Sequence, residues 1–154
     1  MEITKQPQKA AILRELPSRL LGQTAALVGK MSGAALSAMG AHRYHFAVLA
    51  TLQEFGAASQ AELCRRTDMD RSDMNTALNA LESEGAISRT VDPVNRRQNI
   101  IGLTERGNGR FDELRLRLAA VQNEALAPLS VVERIALVSL LQRIHDHLAS
   151  DAQT

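Results

Sequence analysis

Arg71, Ser72, Asp73, Asn75 and Thr76 crowd polar side chains into one short stretch of the chain. Their chemistry suits the edges of base pairs: Arg bonds guanine in bidentate fashion, Asn does the same to adenine, and Ser or Thr serve either. Met74, Ala77, Leu78 and Leu81 recur among them at helical spacing. A helix through this stretch turns that apolar set inward and leaves the polar set, with Asn79, facing out. Asp70 can cap the helix and Gly85 can close it. A plain solvated face would have the same composition, so these residues do not by themselves name a partner. A second group stands further on. Asp92-Pro93-Val94-Asn95-Arg96-Arg97 is a turn-rich loop tipped by two guanidiniums, between strand-length runs at 86–91 and 98–103. Asp92 and Arg97 bracket the loop, so pairing across its base is expected to hold it and free Arg96 for a phosphate or groove contact.

These side chains need elements to position them. Ser59-Gln60-Ala61-Glu62 has the capping-box form, which predicts a helix over 59–66 with Leu63 and Cys64 on one face and Arg65 and Arg66 turned away. Thr67-Asp68-Met69-Asp70 reads as a polar turn before the second helix. Helix, turn, helix and an arginine-tipped hairpin make a winged helix, a unit that normally meets duplex DNA. Charge is distributed unevenly over it. Residues 59–85 carry three Arg against six acids, a local −3, and residues 86–98 carry three Arg against one Asp, a local +2. Phosphate affinity follows where cations sit, so the wing is expected to supply it, with modest non-specific affinity overall.

The flanks read as helical. A turn at 10–15 precedes a helix that starts at Leu16-Pro17-Ser18 and runs to about Met39, interrupted by Gly22, Gly29 and Gly33, which would let another helix approach closely. A helix over 42–55 places Val48, Leu49, Leu52 and Phe55 toward the core. After the wing, Thr104 can cap a long helix that ends near Leu126, before Pro128. Ser130-Val131-Val132-Glu133 is a second capping box, and it opens a final helix that runs to about Ala149. That helix is apolar on too many sides for one core-facing stripe. A second copy of the chain is the economical cover, and a symmetric dimer would present two reading helices to two half-sites about one helical turn apart.

The whole chain has 154 residues, a net charge of +1, 45% hydrophobic and 23% charged residues, which suits one globular domain. No apolar run approaches the ~20 residues of a membrane span. The opening Met1-Glu2-Ile3-Thr4-Lys5 lacks a leader pattern, and the single cysteine suits a reducing compartment, so a soluble cytoplasmic protein is expected. No phosphate loop, nucleophile elbow or cofactor motif is present, and no enzyme is expected. Cys64 reads as packing, with a peroxide-sensing thiol as the alternative. His42 and His45, with His145 and His147, read as caps or surface groups, with a metal site as the alternative.

The run from Tyr44 to Gly107 resembles the MarR family of bacterial transcriptional regulators. The matching residues are Ala61-Glu62-Leu63-Cys64-Arg65-Arg66, Asp70-Arg71-Ser72, Leu81-Glu82-Ser83-Glu84-Gly85, the wing, and Leu103-Thr104-Glu105-Arg106-Gly107. The family's wing usually reads Asp-Pro-x-Asp-Arg-Arg. Asp92, Pro93, Arg96 and Arg97 match it, and Asn95 replaces an acid. The resemblance implies a mainly α fold with a small β-hairpin wing. Residues 42–107 would form the DNA-binding region, and 16–39 and 108–154 the dimerisation helices. It also implies a homodimeric repressor that binds a pseudo-palindromic double-stranded operator and is released by a small aromatic or anionic effector. Arg71, Ser72, Asp73, Asn75, Thr76, Arg96 and Arg97 would touch DNA, with Asp92 supporting the wing. Arg19, Gln23, His42, Tyr44 and His45 would border the effector cleft. The alternatives are a winged helix used only to bind protein, and a metal- or redox-responsive DNA-binding sensor.

Overall fold

The computed structural model describes residues 9–151. The opening stretch read for its missing leader pattern, and residues 152–154, lie outside them. Two units are present, one ending at Leu118 and one beginning at Ala119.

In the first unit α1 (Ala11–Glu15) is followed by α2 (Pro17–Ser37), which Pro17 opens where its missing N–H costs nothing. His42 caps α3 (Arg43–Phe55). Then come β1 (Ala58–Ser59), α4 (Gln60–Thr67), α5 (Arg71–Ser83), β2 (Ile87–Val91), β3 (Asn99–Leu103) and the start of α6 (Glu105–Ala125). Val48, Leu49, Leu63, Met74, Leu78, Leu81, Ile101 and Leu114 are its largest fully buried side chains together with Leu36. Burying one Leu or Met contributes about 1.5–3 kcal/mol, so Met74, Leu78 and Leu81 alone fix which face of α5 points outward.

Four expectations of the fold are corrected. The hairpin has a third strand: β1 pairs antiparallel with β3, Ala58 opposite Ile101, giving the order β1-β3-β2. Two residues carry no readable alternation, which hides so short a strand. Phe55 is 58% exposed rather than in the core. It is the last residue of α3, past the apolar stripe, and the Arg66 guanidinium covers its ring at 4.1 Å. The turn between α4 and α5 is not wholly polar, because Met69 is buried and ties it to the core. Ser59 caps α4 as expected, its Oγ accepting from Glu62 N at 3.2 Å. The Glu62 carboxylate turns instead to Arg65 and Arg66, so the reciprocal half of the box is missing.

The end of α5, the sheet and the start of α6 meet at one junction. Gly85 takes φ +75°, a left-handed conformation that closes α5. Thr104 Oγ1 donates to Gly85 O at 2.6 Å and accepts from Gly107 N at 3.0 Å, capping α6 while tying it to the end of α5. A Cβ on Gly107 would lie 2.0 Å from Ala86 O and 2.7 Å from Leu103 Cδ1, so only glycine fits there.

In the second unit α6 ends at Ala125 and α7 runs Val131–Asp151. The Ser130–Glu133 box is complete: Glu133 Oε2 accepts from Ser130 N at 2.7 Å, and Ser130 Oγ accepts from Glu133 N at 3.3 Å. Arg134 sews the turn. Its Nε donates to Leu126 O and Leu129 O, both at 3.1 Å, and its Nη1 to Asn123 Oδ1 at 3.0 Å. α7 holds no buried residue, and Val131, Val132, Ile135, Val138, Leu140, Leu141, Ile144 and Leu148 are all exposed. Among the described residues no helix is long and apolar enough to cross a membrane.

Gly107→Ala is expected to destabilise the protein by about 1–3 kcal/mol or more, the cost of overpacking against backbone that cannot retreat. Chemical denaturation of the variant checks it.

Candidate nucleic-acid interface

Asp70 Oδ1 accepts from Asp73 N at 2.8 Å and starts α5. The helix then presents Arg71, Ser72, Asn75 and Thr76 exposed and Asp73 half-buried. Arg71, Ser72 and Asn75 line an open hollow with Gln60 at the start of α4. Arg71 also faces a groove of about 580 Å³ lined by Ser59, Cys64, Arg97 and Asn99. The start of the outward helix and the wing thus share one concave surface with a guanidinium on each side. Asp73 and Thr76 lie on the other flank of α5 and border a different cavity. Thr76 Oγ1 donates to Ser72 O at 3.1 Å, which leaves its oxygen lone pairs outward. Asn79 is not free, because its Oδ1 accepts from Arg89 Nη2 at 2.9 Å.

The wing is held differently from the expectation. Asp92 does not pair with Arg97. Its Oδ2 accepts from Gln98 Nε2 at 2.7 Å and its Oδ1 from Val94 N at 2.8 Å. The register explains it: Val91 pairs with Asn99, so residue 98 stands opposite Asp92, and Asp92 N donates to Gln98 O at 3.0 Å. Those bonds from Gln98 and Val94, with a further one from Asn95, hold the Asp92 carboxyl below the usual carboxylate range against the opposing effect of desolvation. Arg97 is left to project its side chain into the groove, while its N–H donates to Asn95 Oδ1 at 3.2 Å. Asn95 therefore keeps the acceptor that turns the loop although it lacks the charge of an acid. Arg96 is exposed, and so is Val94 at 93%. Gln98 is the supporting residue that the sequence reading missed, and counting strand register would have found it.

His42 and His45 form a reciprocal cap at the start of α3. His42 Nδ1 accepts from Tyr44 N at 3.3 Å, and His45 Nδ1 accepts from His42 N at 3.2 Å. Arg43 Nη2 donates to Tyr44 Oη at 3.1 Å. His42, Tyr44 and His45 line a cavity of about 300 Å³ with Asp73, Thr76 and Ala77 of α5. Arg19, half-buried, and Gln23, exposed, are not among its lining residues. Cys64 is half-buried against the core cluster and borders the large groove, so it sits at the edge of the inner face. His145 lies 3.4 Å from Asp146 and His147 3.7 Å from Asp151. Among the described residues no group of three His, Cys, Asp or Glu side chains is placed to hold a metal.

The His45 cap needs a bare Nδ1, so it needs a neutral imidazole. Burial holds the His45 pKa below the ordinary histidine value, with His42 and Arg110 adding to the effect and Glu84 opposing it. A depressed folded-state pKa makes the cap's stabilisation complete above the unfolded histidine value, about 6.5. It is lost as pH falls from there through the folded value. Thermal midpoints of the wild type should therefore fall between neutral pH and about pH 5.5. The fall should be shallower in His45→Gln, whose amide oxygen accepts the same N–H at every pH.

The MarR family model matches residues 39–98, which span α3, α4, α5 and the wing loop. Among curated proteins the chain is similar to the HTH-type transcriptional repressor NicR of Pseudomonas putida, at 29% identity over 66% of this chain. It spans 64% of NicR, somewhat less than two thirds of that relative's length. Among solved structures it is similar to a probable transcriptional regulator from Pseudomonas aeruginosa, at TM-score 0.75 and 26% identity over 86% of this chain and 98% of that one. It is also similar to the MarR family protein Rv2887 of Mycobacterium tuberculosis, solved in complex with p-aminosalicylic acid, at TM-score 0.67 and 26% identity over 84% of this chain and 98% of that one. The family match is seated on the winged helix, and regulators of the same kind are among the proteins to which this chain is similar.

Proposed function

We propose that this protein is a homodimeric transcriptional repressor that reads a pseudo-palindromic duplex operator and lets go of it when a small aromatic or anionic effector binds. The observation that carries this reading is the shared groove. Arg71 at the start of α5 and Arg97 on the wing face one concavity, with Asn75 and Ser72 beside them and Arg96 exposed at the wing. A helix whose N-terminal polar side chains enter the major groove reads base edges, and a flanking loop cation gains from the negative potential of a narrow minor groove. NicR, similar in sequence, is named a repressor, which supports repression as the output.

The dimer is supported by the exposed apolar residues of α7, and by Leu20, Leu21 and Leu27 exposed on α2. Open space surrounds Gly22, Gly29 and Gly33, as a close helix partner would require. An effector site is supported by the cavity of His42, Tyr44 and His45, whose floor on α5 includes Asp73 and Thr76. The relative Rv2887 is seen with an aromatic carboxylate, p-aminosalicylic acid, which is the class of ligand proposed here.

The second reading, a winged helix that binds only protein, draws on the net charge of +1. Salt separates the two. Arg96→Ala is expected to weaken binding to selected and scrambled duplexes alike and to lower the slope of log K against log salt by about one unit. Asn75→Ala should cost about 1–3 kcal/mol of discrimination at one base position and leave that slope nearly unchanged. Titration of both variants over a salt series checks this, and wild-type binding by Arg96→Ala on both duplexes would favour the protein-binding module. Deleting residues 130–154 is expected to abolish the dimer, and sedimentation of the truncated chain as a folded dimer would remove α7 from the interface.

A further inference from the structure

We infer that Arg89 is a positioning residue for duplex recognition: it locks the wing to the reading helix, an inference that rests on the DNA-binding reading above. Arg89 sits at the middle of β2, opposite Ile101 of β3. Its side chain is only 22% exposed and reaches α5, where Nη2 donates to Asn79 Oδ1 at 2.9 Å and Nη1 stands 3.5 Å from Glu82 Oε2. Asn79 and Glu82 are three residues apart, so they present neighbouring acceptors on one flank of α5. A planar guanidinium that meets two acceptors on one helix fixes the strand both along and around that helix, which a point charge on a flexible stem does not.

The lever runs both ways from that clasp. Two residues beyond Arg89, β2 ends at Val91 and the loop to Arg96 and Arg97 begins. One turn before Asn79, α5 carries Asn75 and Thr76 on its outward face. The separation between reading side chains and wing cations is thus set by how β2 seats on α5. On a duplex, reading helix and wing must straddle one phosphate strand, so that separation decides whether both engage together. The clasp uses the two Nη atoms of Arg89, and its buried Nε meets neither acceptor. Asn79 is outward-facing but committed to Arg89, which accounts for its place on the polar face without a base contact.

The test is a double-mutant cycle on the full chain, read as equilibrium binding to a genomically selected duplex across a salt series. In the wild-type background Arg96→Ala is expected to lose about tenfold in affinity. In the Asn79→Ala background, where the clasp loses the nearer of its two acceptors from an exposed position that does not threaten the fold, the same change should lose less than about threefold. Arg89→Lys keeps the charge and should still lower the salt slope by about one unit, as removing the wing cation does. Thermal midpoints measured alongside separate these effects from simple destabilisation, which would weaken binding without coupling it to Arg96. Additive losses in a chain that binds the duplex overturn the role given to Arg89. A wild-type chain with no saturable duplex binding overturns the DNA-binding reading itself, and this inference with it.

Discussion

Among the glycines of the described residues, the tightest constraint is the approach of Gly107 to the carbonyl of Ala86, where no side-chain atom fits. Ala86 is where the chain leaves the turn after α5 and enters β2, and Gly107 is in the first turn of α6. Thr104 stitches the same place from both sides, and Thr104 N donates to Ala86 O at 3.1 Å. Everything that a winged helix must hold in register therefore converges on a few backbone atoms: the end of the outward helix, both roots of the wing and the helix that follows. The run Leu103-Thr104-Glu105-Arg106-Gly107 thereby acquires a physical meaning. Thr supplies a hydroxyl that both donates and accepts, and Gly supplies the missing Cβ.

Much of this was legible because short-range rules governed it. The spacing of Met74, Ala77, Leu78 and Leu81 gave the buried face of α5 correctly, and Asp70, Ser130 and Gly85 cap or close helices as their chemistry demands. What was missed depended on contacts between segments distant in sequence or on register. A two-residue β1 has no periodicity to read, and it forms because β3 offers an edge for it. The partner of Asp92 turned on whether residue 97 or 98 stands opposite, a one-residue matter that the strands decide. Arg89 and Asn79 are ten residues apart, and nothing local marks them as a pair. Phe55 carries an apolar side chain at helical spacing yet lies past the end of the core it was assigned to.

Charge and shape resolve the near-neutral balance of the chain. The acids of the central helices are largely spoken for. Glu62 holds Arg65 and Arg66, Glu82 faces Arg89, and Glu84 lies 3.6 Å from Arg110. Asp70 is bound to a helix N-terminus, and Asp92 is bound within the wing. Arg71, Arg96 and Arg97 have no acid paired with them among the ion pairs of the described residues. A neutral total thus coexists with a locally cationic groove, and local field is what a phosphate strand meets.

The cavity at the start of α3 and the groove at the start of α5 are two flanks of one helix. Asp73 and Thr76 border the first, and Arg71 the second, within less than two turns. A rigid helix transmits a small rotation from one flank to the other without any change in its own hydrogen bonds. The cavity rim is itself built on backbone N–H groups captured by His42 and His45. A molecule that competes for those imidazoles would loosen the cap of α3 at the place where α3 meets α5. Coupling between a bound small molecule and the outward face of α5 then needs only a differential fit to two seatings of that helix, and no long pathway through the core.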